Sequence, residues 1–263
     1  MIALEREVHA APAGARTDGQ PLYAIGDVHG CYALLRALLE EIVRDAAARY
    51  HGVTPTIILC GDYIDRGPCS SKVMTALVLL ERSGAVDARF LDGNHEAMLR
   101  MFIEHPERHG KWIDFGGRET LESYGIAVPA DSASDATSLV MLRNALLDAM
   151  PAAHHRLLNN LEPMVEIGSY AFVHAGIRPG IALKKQVPDD LLWIRDDFLD
   201  HPRPSRSVIV HGHTWIGNRP EILGHRIGID TGAYETGVLT AIRIDDREIE
   251  VIRASDHREQ DVA

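Results

Sequence analysis

Two carboxylates and an arginine fall within five residues in Gly61-Asp62-Tyr63-Ile64-Asp65-Arg66-Gly67, directly after the apolar run Thr56-Ile57-Ile58-Leu59-Cys60. A carboxylate in such a loop can hold a divalent cation, and a planar guanidinium beside it can grip a phosphate. Taken alone, the loop could equally be a polar turn whose aspartates cap the next helix. Four further stretches weigh on that choice: Asp27 and His29 in Gly26-Asp27-Val28-His29-Gly30, Asn94 and His95 in Gly93-Asn94-His95-Glu96, His174 in His174-Ala175-Gly176, and His211 and His213 in His211-Gly212-His213-Thr214. Any one buried or capping histidine is ordinary. Five such loops in one chain, each after an apolar run, are not explained by structural roles alone.

The elements that must position these residues are legible as strand–loop–helix units. Leu22–Ile25, Thr56–Cys60 and Arg89–Leu91 read as short strands. The stripe Leu34, Leu35, Leu38, Leu39, Ile42, Val43 predicts a helix over Tyr32–Ala48, and further helices are expected at about Ser71–Arg82 and from Glu96 through Phe102. Three such units in succession imply parallel strands with right-handed crossovers, which puts all three loops on one sheet edge. Residues from about 105 to 160 carry helical patterns without strands and read as a helical insertion; Trp112, Phe115 and Tyr124 within it could line a substrate edge, with helix packing the favoured role. The chain then turns to β, with a hairpin at Val165–Ile167 and Tyr170–Val173, a buried strand at Val208–Val210, and strands at Arg226–Ile229, Val238–Ile244 and Glu248–Ile252. Residues 1–20 are expected to be disordered and 254–263 to form a loose tail.

At 263 residues, with 46% hydrophobic and 25% charged residues, the composition is that of an ordinary globular protein with one sizeable core. A net charge of −11 disfavours nucleic acid and anionic membranes as partners. An acidic protein that handles phosphates therefore needs a locally cationic site. Cys31, Cys60 and Cys69 lack metal-finger spacing and read as reduced thiols, and no segment has the length of a membrane span or the pattern of a signal peptide, so a cytoplasmic location is expected.

The ordered set Gly-Asp-Val-His-Gly, Gly-Asp-Tyr-Ile-Asp-Arg-Gly, Gly-Asn-His-Glu, His-Ala-Gly and Gly-His-Thr resembles the signature of the phosphoprotein phosphatases among the calcineurin-like metallophosphoesterases, most closely the compact bacterial and phage serine/threonine enzymes. The motifs span Gly26 to Thr214, and Ile229-Asp230-Thr231-Gly232-Ala233 also looks familial. The resemblance implies an α/β fold of two packed mixed β-sheets flanked by helices (αββα), with a single domain over 21–253. It implies a two-metal site in which Asp27, His29 and Asp62 hold one ion, Asp62 bridges, and Asn94, His174 and His213 complete the other; His211 is read as a structural neighbour. Arg66, Arg195 and Asn94 would bind the substrate phosphate, His95 would protonate the leaving group, and Asp65 would keep His95 charged. A hydroxide between the ions would then attack phosphorus in line.

Physical chemistry agrees with that assignment. Two ions need a shared ligand, and a carboxylate has two oxygens to share. Mixed His, Asn and Asp ligation suits Mn²⁺ best, with Fe or Zn²⁺ as alternatives, over oxygen-seeking Ca²⁺. Two ions outweigh the charges of Asp27 and Asp62, which gives the acidic chain its cationic centre. The favoured expectation is a phosphomonoesterase acting on phosphoserine and phosphothreonine proteins or peptides. The runner-up is a symmetrical diadenosine tetraphosphatase or other nucleotide phosphohydrolase, placed second because Asp65 and Glu96 depart from that pattern. A metal-stabilised binding protein without catalysis would show a broken motif, and none of the key positions is broken.

Overall fold

Strict alternation along the strands sorts the apolar side chains onto two faces. In the strand Leu22–Ile25, Tyr23 and Ile25 join the core beneath the helices while Leu22 and Ala24 join the core between the sheets; Ile57 and Leu59 against Ile58 and Cys60 repeat the split one strand over. The computed structural model describes residues 2–129, 135–203 and 205–256. Its first sheet runs in the order β1 (Ile2–Ala10), β11 (Glu248–Asp256), β10 (Val238–Ile244), β2 (Leu22–Ile25), β3 (Thr56–Leu59), β4 (Asp87–Phe90), with β2, β3 and β4 parallel and the remaining pairs antiparallel. The second runs β5 (Val165–Ile167), β6 (Tyr170–Phe172), β7 (Val208–His211), β9 (Arg226–Gly228), β8 (Glu221–Ile222), parallel from β6 through β9. The sheets stack face to face through Ile58, Phe172, Val210, Ile229 and Ile242. Helices α1 (Tyr32–Arg49), α2 (Ser70–Ser83) and α3 (Asn94–Glu104) cover the first sheet; α8 (Pro188–Trp193) and α9 (Asp196–Leu199) cover the second. This is the αββα arrangement that the sequence led us to expect.

Between residues 105 and 160 lie α4 (Pro106–His109), a 3₁₀ turn over Gly110–Phe115, α5 (Gly117–Ser123), α6 (Ala136–Ala149) and α7 (Ala152–Asn159). They pack against α2 and α3 at the rim where the strand-end loops emerge. Among the described residues, no helix is long and apolar enough to cross a membrane.

Both termini depart from expectation. Residues 2–10 are not frayed: β1 pairs along its whole length with β11, in register from Ile2 with Asp256 to Ala10 with Glu248. Its Glu and Arg residues suit an edge strand, so the local composition looked unstructured, and its partner lies some 240 residues downstream. Nor is Ala254 the start of a loose tail, because β11 continues to Asp256 between β1 and β10; residues 257–263 of that tail lie outside the described ones. The sheet therefore runs beyond the 21–253 boundaries at both ends.

The new edge closes over an ionic cluster. The fully buried Arg243 donates to Glu250 at 3.0 Å and to Asp245 at 2.7 Å, while Arg6 of β1 reaches Glu250 at 2.9 Å and Asp45 at 3.1 Å. Removing one partner of such a cluster strands the others away from water. Arg243→Ala should lower the unfolding free energy by about 3–5 kcal/mol in urea titrations, whereas Arg36→Ala, which breaks an exposed pair with Glu40, should leave the midpoint unmoved. Burial opposes the charges of Asp45 and Glu250, but their arginine hydrogen bonds prevail and hold both below the usual carboxylate range. Their stabilisation is complete above the unfolded-state values of roughly 4 and should disappear as pH falls below them.

Candidate metal centre

Each site loop leaves the carboxyl end of a strand. Asp27 and His29 follow β2, Asp62 follows β3, Asn94 opens α3 after β4, His174 follows β6, and His213 follows β7. Because the two sheets are stacked, these ends form one rim. The loops are tied across it: His29 and Val28 donate backbone N–H groups to the Asp62 carbonyl at 2.8 and 3.0 Å, and the His213 N–H donates to Asp27 Oδ2 at 2.9 Å. Gly212 and Gly93 stand where any Cβ would collide with the Asp27 and Asp62 carboxylates, so the backbone can close on the site only at glycine.

All six expected ligands are buried. The donor atoms gather as His29, Asp62 and His95 on one side and Asp62, His174 and His213 on the other, with Asp27 outside both groups and tied to the rim through the His213 N–H. Asp62 Oδ2 lies 3.4 Å from His29 Nε2, and Asp62 Oδ1 lies 3.4 Å from His174 Nε2. Its two oxygens thus face two donor sets. On the second side, Asn94 Oδ1 is 2.8 Å from His174 Nε2 and 2.9 Å from His213 Nδ1. His29 Nδ1 sits 2.9 Å from the Ile64 carbonyl and His174 Nδ1 sits 2.8 Å from the Cys60 carbonyl. Donation to those carbonyls fixes the tautomer and leaves each Nε2 lone pair for a cation. Asp27 Oδ1 is buried without a hydrogen-bond partner. Donors of this kind, in two groups sharing one carboxylate, fit a pair of divalent cations.

Electrostatics point the same way. Burial pushes His29 down to about 3 and His213 down to about 2, so both rings stay neutral and able to ligate. Burial, with the charges of Asp230 and Asp62, raises Asp27 above the usual carboxylate range; a cation among them would reverse that. His95 behaves oppositely. Burial disfavours its charge, but the Asp62 charge and the bond from Nδ1 to Asp65 Oδ2 at 2.7 Å prevail and raise its pKa. Its Nε2 is 3.9 Å from Asp62 Oδ2.

Arg66 and Arg195 line one cavity of about 390 Å³ with Asp62, Asn94, His95 and His213. The Arg66 guanidinium lies 4.7 Å above the Tyr234 ring. Among the described residues no carboxylate pairs with Arg195; the nearby Asp197 binds Arg178 instead. His211 falls outside both donor groups, its ring edge-on to Phe198.

Several positioning groups escaped the sequence reading. The Glu96 carboxylate accepts the backbone N–H groups of Asp62, Tyr63 and Ile64 at 2.9, 2.8 and 3.2 Å, pinning the bridging loop. Asp65 is held from the insertion: Trp112 Nε1 donates to Oδ2 at 2.8 Å and Thr120 Oγ1 donates to Oδ1 at 2.6 Å. Trp112 thus adds a polar tether to its favoured packing role, and Phe115 takes the other of its two expected roles, exposed on the cavity wall. Asp230, buried beside Asp27, was visible only as part of a familiar-looking run.

Asp62→Asn should bind fewer than two equivalents of Mn²⁺ where the parent binds two, measured by metal analysis after gel filtration; an unchanged content would refute the bridging role. His95→Asn should keep its metal and lose about 10²–10⁴ in kcat on alkyl phosphates. Asp65→Asn removes charge that holds the His95 proton, so the alkaline limb of kcat should move to lower pH.

The sequence pattern of the calcineurin-like phosphoesterases matches residues 20–224. The bis(5'-nucleosyl)-tetraphosphatase PrpE (asymmetrical) of Bacillus velezensis is 29% identical over 251 residues, covering 88% of this chain and 92% of that one. Serine/threonine-protein phosphatase 1 of Salmonella typhimurium is 28% identical over 232 residues, covering 85% and 91%. A solved structure provisionally titled a diadenosine tetraphosphatase superposes with a TM-score of 0.54 at 20% identity over 93% of this chain and 98% of its own, a likeness of fold. With its motifs on one rim and that match over most of its length, the chain belongs to the calcineurin-like phosphoesterases.

Proposed function

We propose that this metallophosphoesterase hydrolyses dinucleoside polyphosphates of the bis(5'-nucleosyl)-tetraphosphate class, which reverses the order of the two readings the sequence suggested. The observation that carries this is the wall of the catalytic cavity. Phe115 and Trp193 are 57% and 42% exposed there, and Trp215 and Tyr234 stand beside them. Large aromatic faces left in water around a phosphate site are natural platforms for nucleobases. The name printed for the Bacillus relative supports the same reading.

Two divalent cations, Mn²⁺ foremost, when bound by Asp27, His29, Asp62, Asn94, His174 and His213, would supply Lewis acidity and lower the pKa of the attacking water. The chain's own groups do the rest. Arg66 and Arg195 take phosphate oxygens through planar N–H forks, with the Asn94 amide beside them. His95 presents a protonated Nε2 to the departing oxygen while Asp65 holds the other nitrogen, and Trp112 and Thr120 hold Asp65. The carbonyl-bound histidines remain neutral ligands and the carboxylate-bound one remains an acid. Environment alone separates the roles.

A second reading, a phosphoserine or phosphothreonine protein phosphatase, is favoured by the intact Asp65–His95 bond and by the Salmonella relative. With Mn²⁺ present, kcat/KM for diadenosine tetraphosphate should exceed that for a phosphothreonine peptide by at least about tenfold, and Trp193→Ala should raise KM for the dinucleotide about tenfold, as expected for one lost base–aromatic stack. A preference for the peptide would reverse the assignment.

A further inference from the structure

Beside the catalytic cavity lies a second one of about 430 Å³, within the usual size of small-ligand sites. The two share a partition made of Arg66 and Tyr234, stacked ring to guanidinium. Beyond that partition the walls are flat and largely apolar: Tyr32, Leu34, Pro68 and Ala233, with the exposed Glu235 carboxylate at the edge. The first turn of α1, at Tyr32–Leu34, and Pro68 and Cys69, just ahead of α2, line the same space.

Resting on the dinucleotide reading above, we infer that this second cavity is the subsite for the distal nucleoside of the substrate. A molecule with a planar base at each end of a polyanion matches two cavities divided by a cation. One base lies on Phe115 and Trp193, the phosphate chain crosses Arg66, and the other base enters between Tyr32 and Tyr234. Glu235 is an acceptor for an exocyclic amine, and the helix ends favour the anionic linker as it passes. A phosphorylated side chain carries a single phosphate and no second planar group, so it would leave this space unused.

The test compares kcat/KM for diadenosine tetraphosphate with that for adenosine tetraphosphate, which lacks the second nucleoside. The parent should favour the two-base substrate by about tenfold, the loss expected for one unstacked base. Ala33→Trp, an exposed position on the cavity lip, fills the space and should bring the ratio close to one. Tyr32→Ala, which removes one flat wall without adding bulk, should lower the same ratio and serves if the larger substitution does not fold. A parent that turns over both nucleotides equally, or variants that leave the ratio unchanged, would overturn the subsite while the dinucleotide reading stands. A parent that hydrolyses only phosphopeptide would remove both.

Discussion

One carboxylate, Asp62, has to present its two oxygens to two different donor sets, and the rest of the site is arranged around that demand. Its side chain cannot swing to one side, because His95 donates its backbone N–H to Oδ1 at 3.1 Å. Its backbone cannot relax, because Glu96 takes the N–H groups of three consecutive residues and the Asp62 carbonyl takes two more from the Asp27 loop. The conformation so enforced is uncommon: Asp62 has φ 50°, and His29, Asp65, Arg66 and His213 also have positive φ. Left-handed non-glycine residues cost about 1–3 kcal/mol each. Five of them at one rim persist because the hydrogen bonds around them over-determine the backbone.

The same rim sets its histidines apart by the groups they bond. His29 and His174 bond a neutral carbonyl and offer a lone pair; His95 bonds a carboxylate and offers a proton. His211 also has a carbonyl behind it, Gly212 O at 3.0 Å from Nδ1, but it lies outside both donor groups, with its ring packed on Phe198. Between His29 or His174 and His95 the difference lies in what stands behind each ring, not in the ring. For His95 that support comes from another part of the chain, since the Asp65 oxygens are held by Trp112 and Thr120. The helices between residues 105 and 160 therefore contribute to the acid's proton affinity as well as to packing.

Choice among phosphoesters rests on less strongly constrained features. The candidate ligands and His95 are buried and mutually bonded, whereas Phe115 and Trp193 are exposed and line the cavity together with Tyr234. The roles proposed for Arg66, Arg195 and His95 would serve either substrate class. What differs is the flanking surface, where flat aromatic faces and paired cavities suit bases on both sides of a phosphate chain. In a protein of net charge −11, attraction for any phosphate substrate requires a locally cationic centre.

The sequence by itself put forward the candidate ligands, because each sits in a short motif directly after a strand with a clear apolar pattern; Arg195, between two helices, came only from the resemblance. It determined the two-layer α/β plan for the same reason: alternation of period two and stripes of period 3.6 are local signals. It could not reveal β1, a charged edge strand whose partner is some 240 residues away, nor the Trp112 and Thr120 tethers, which depend on how a helical segment folds back over the rim. Glu96 was in view as the neighbour of His95, but its role is to hold the Asp62 loop 32–34 residues earlier in the chain. Tertiary structure alone decided which face of each helix meets which loop, and so which aromatic rings were left in water beside the phosphate site. Burial and long-range hydrogen bonding are properties of the packed chain, and no local pattern encodes them.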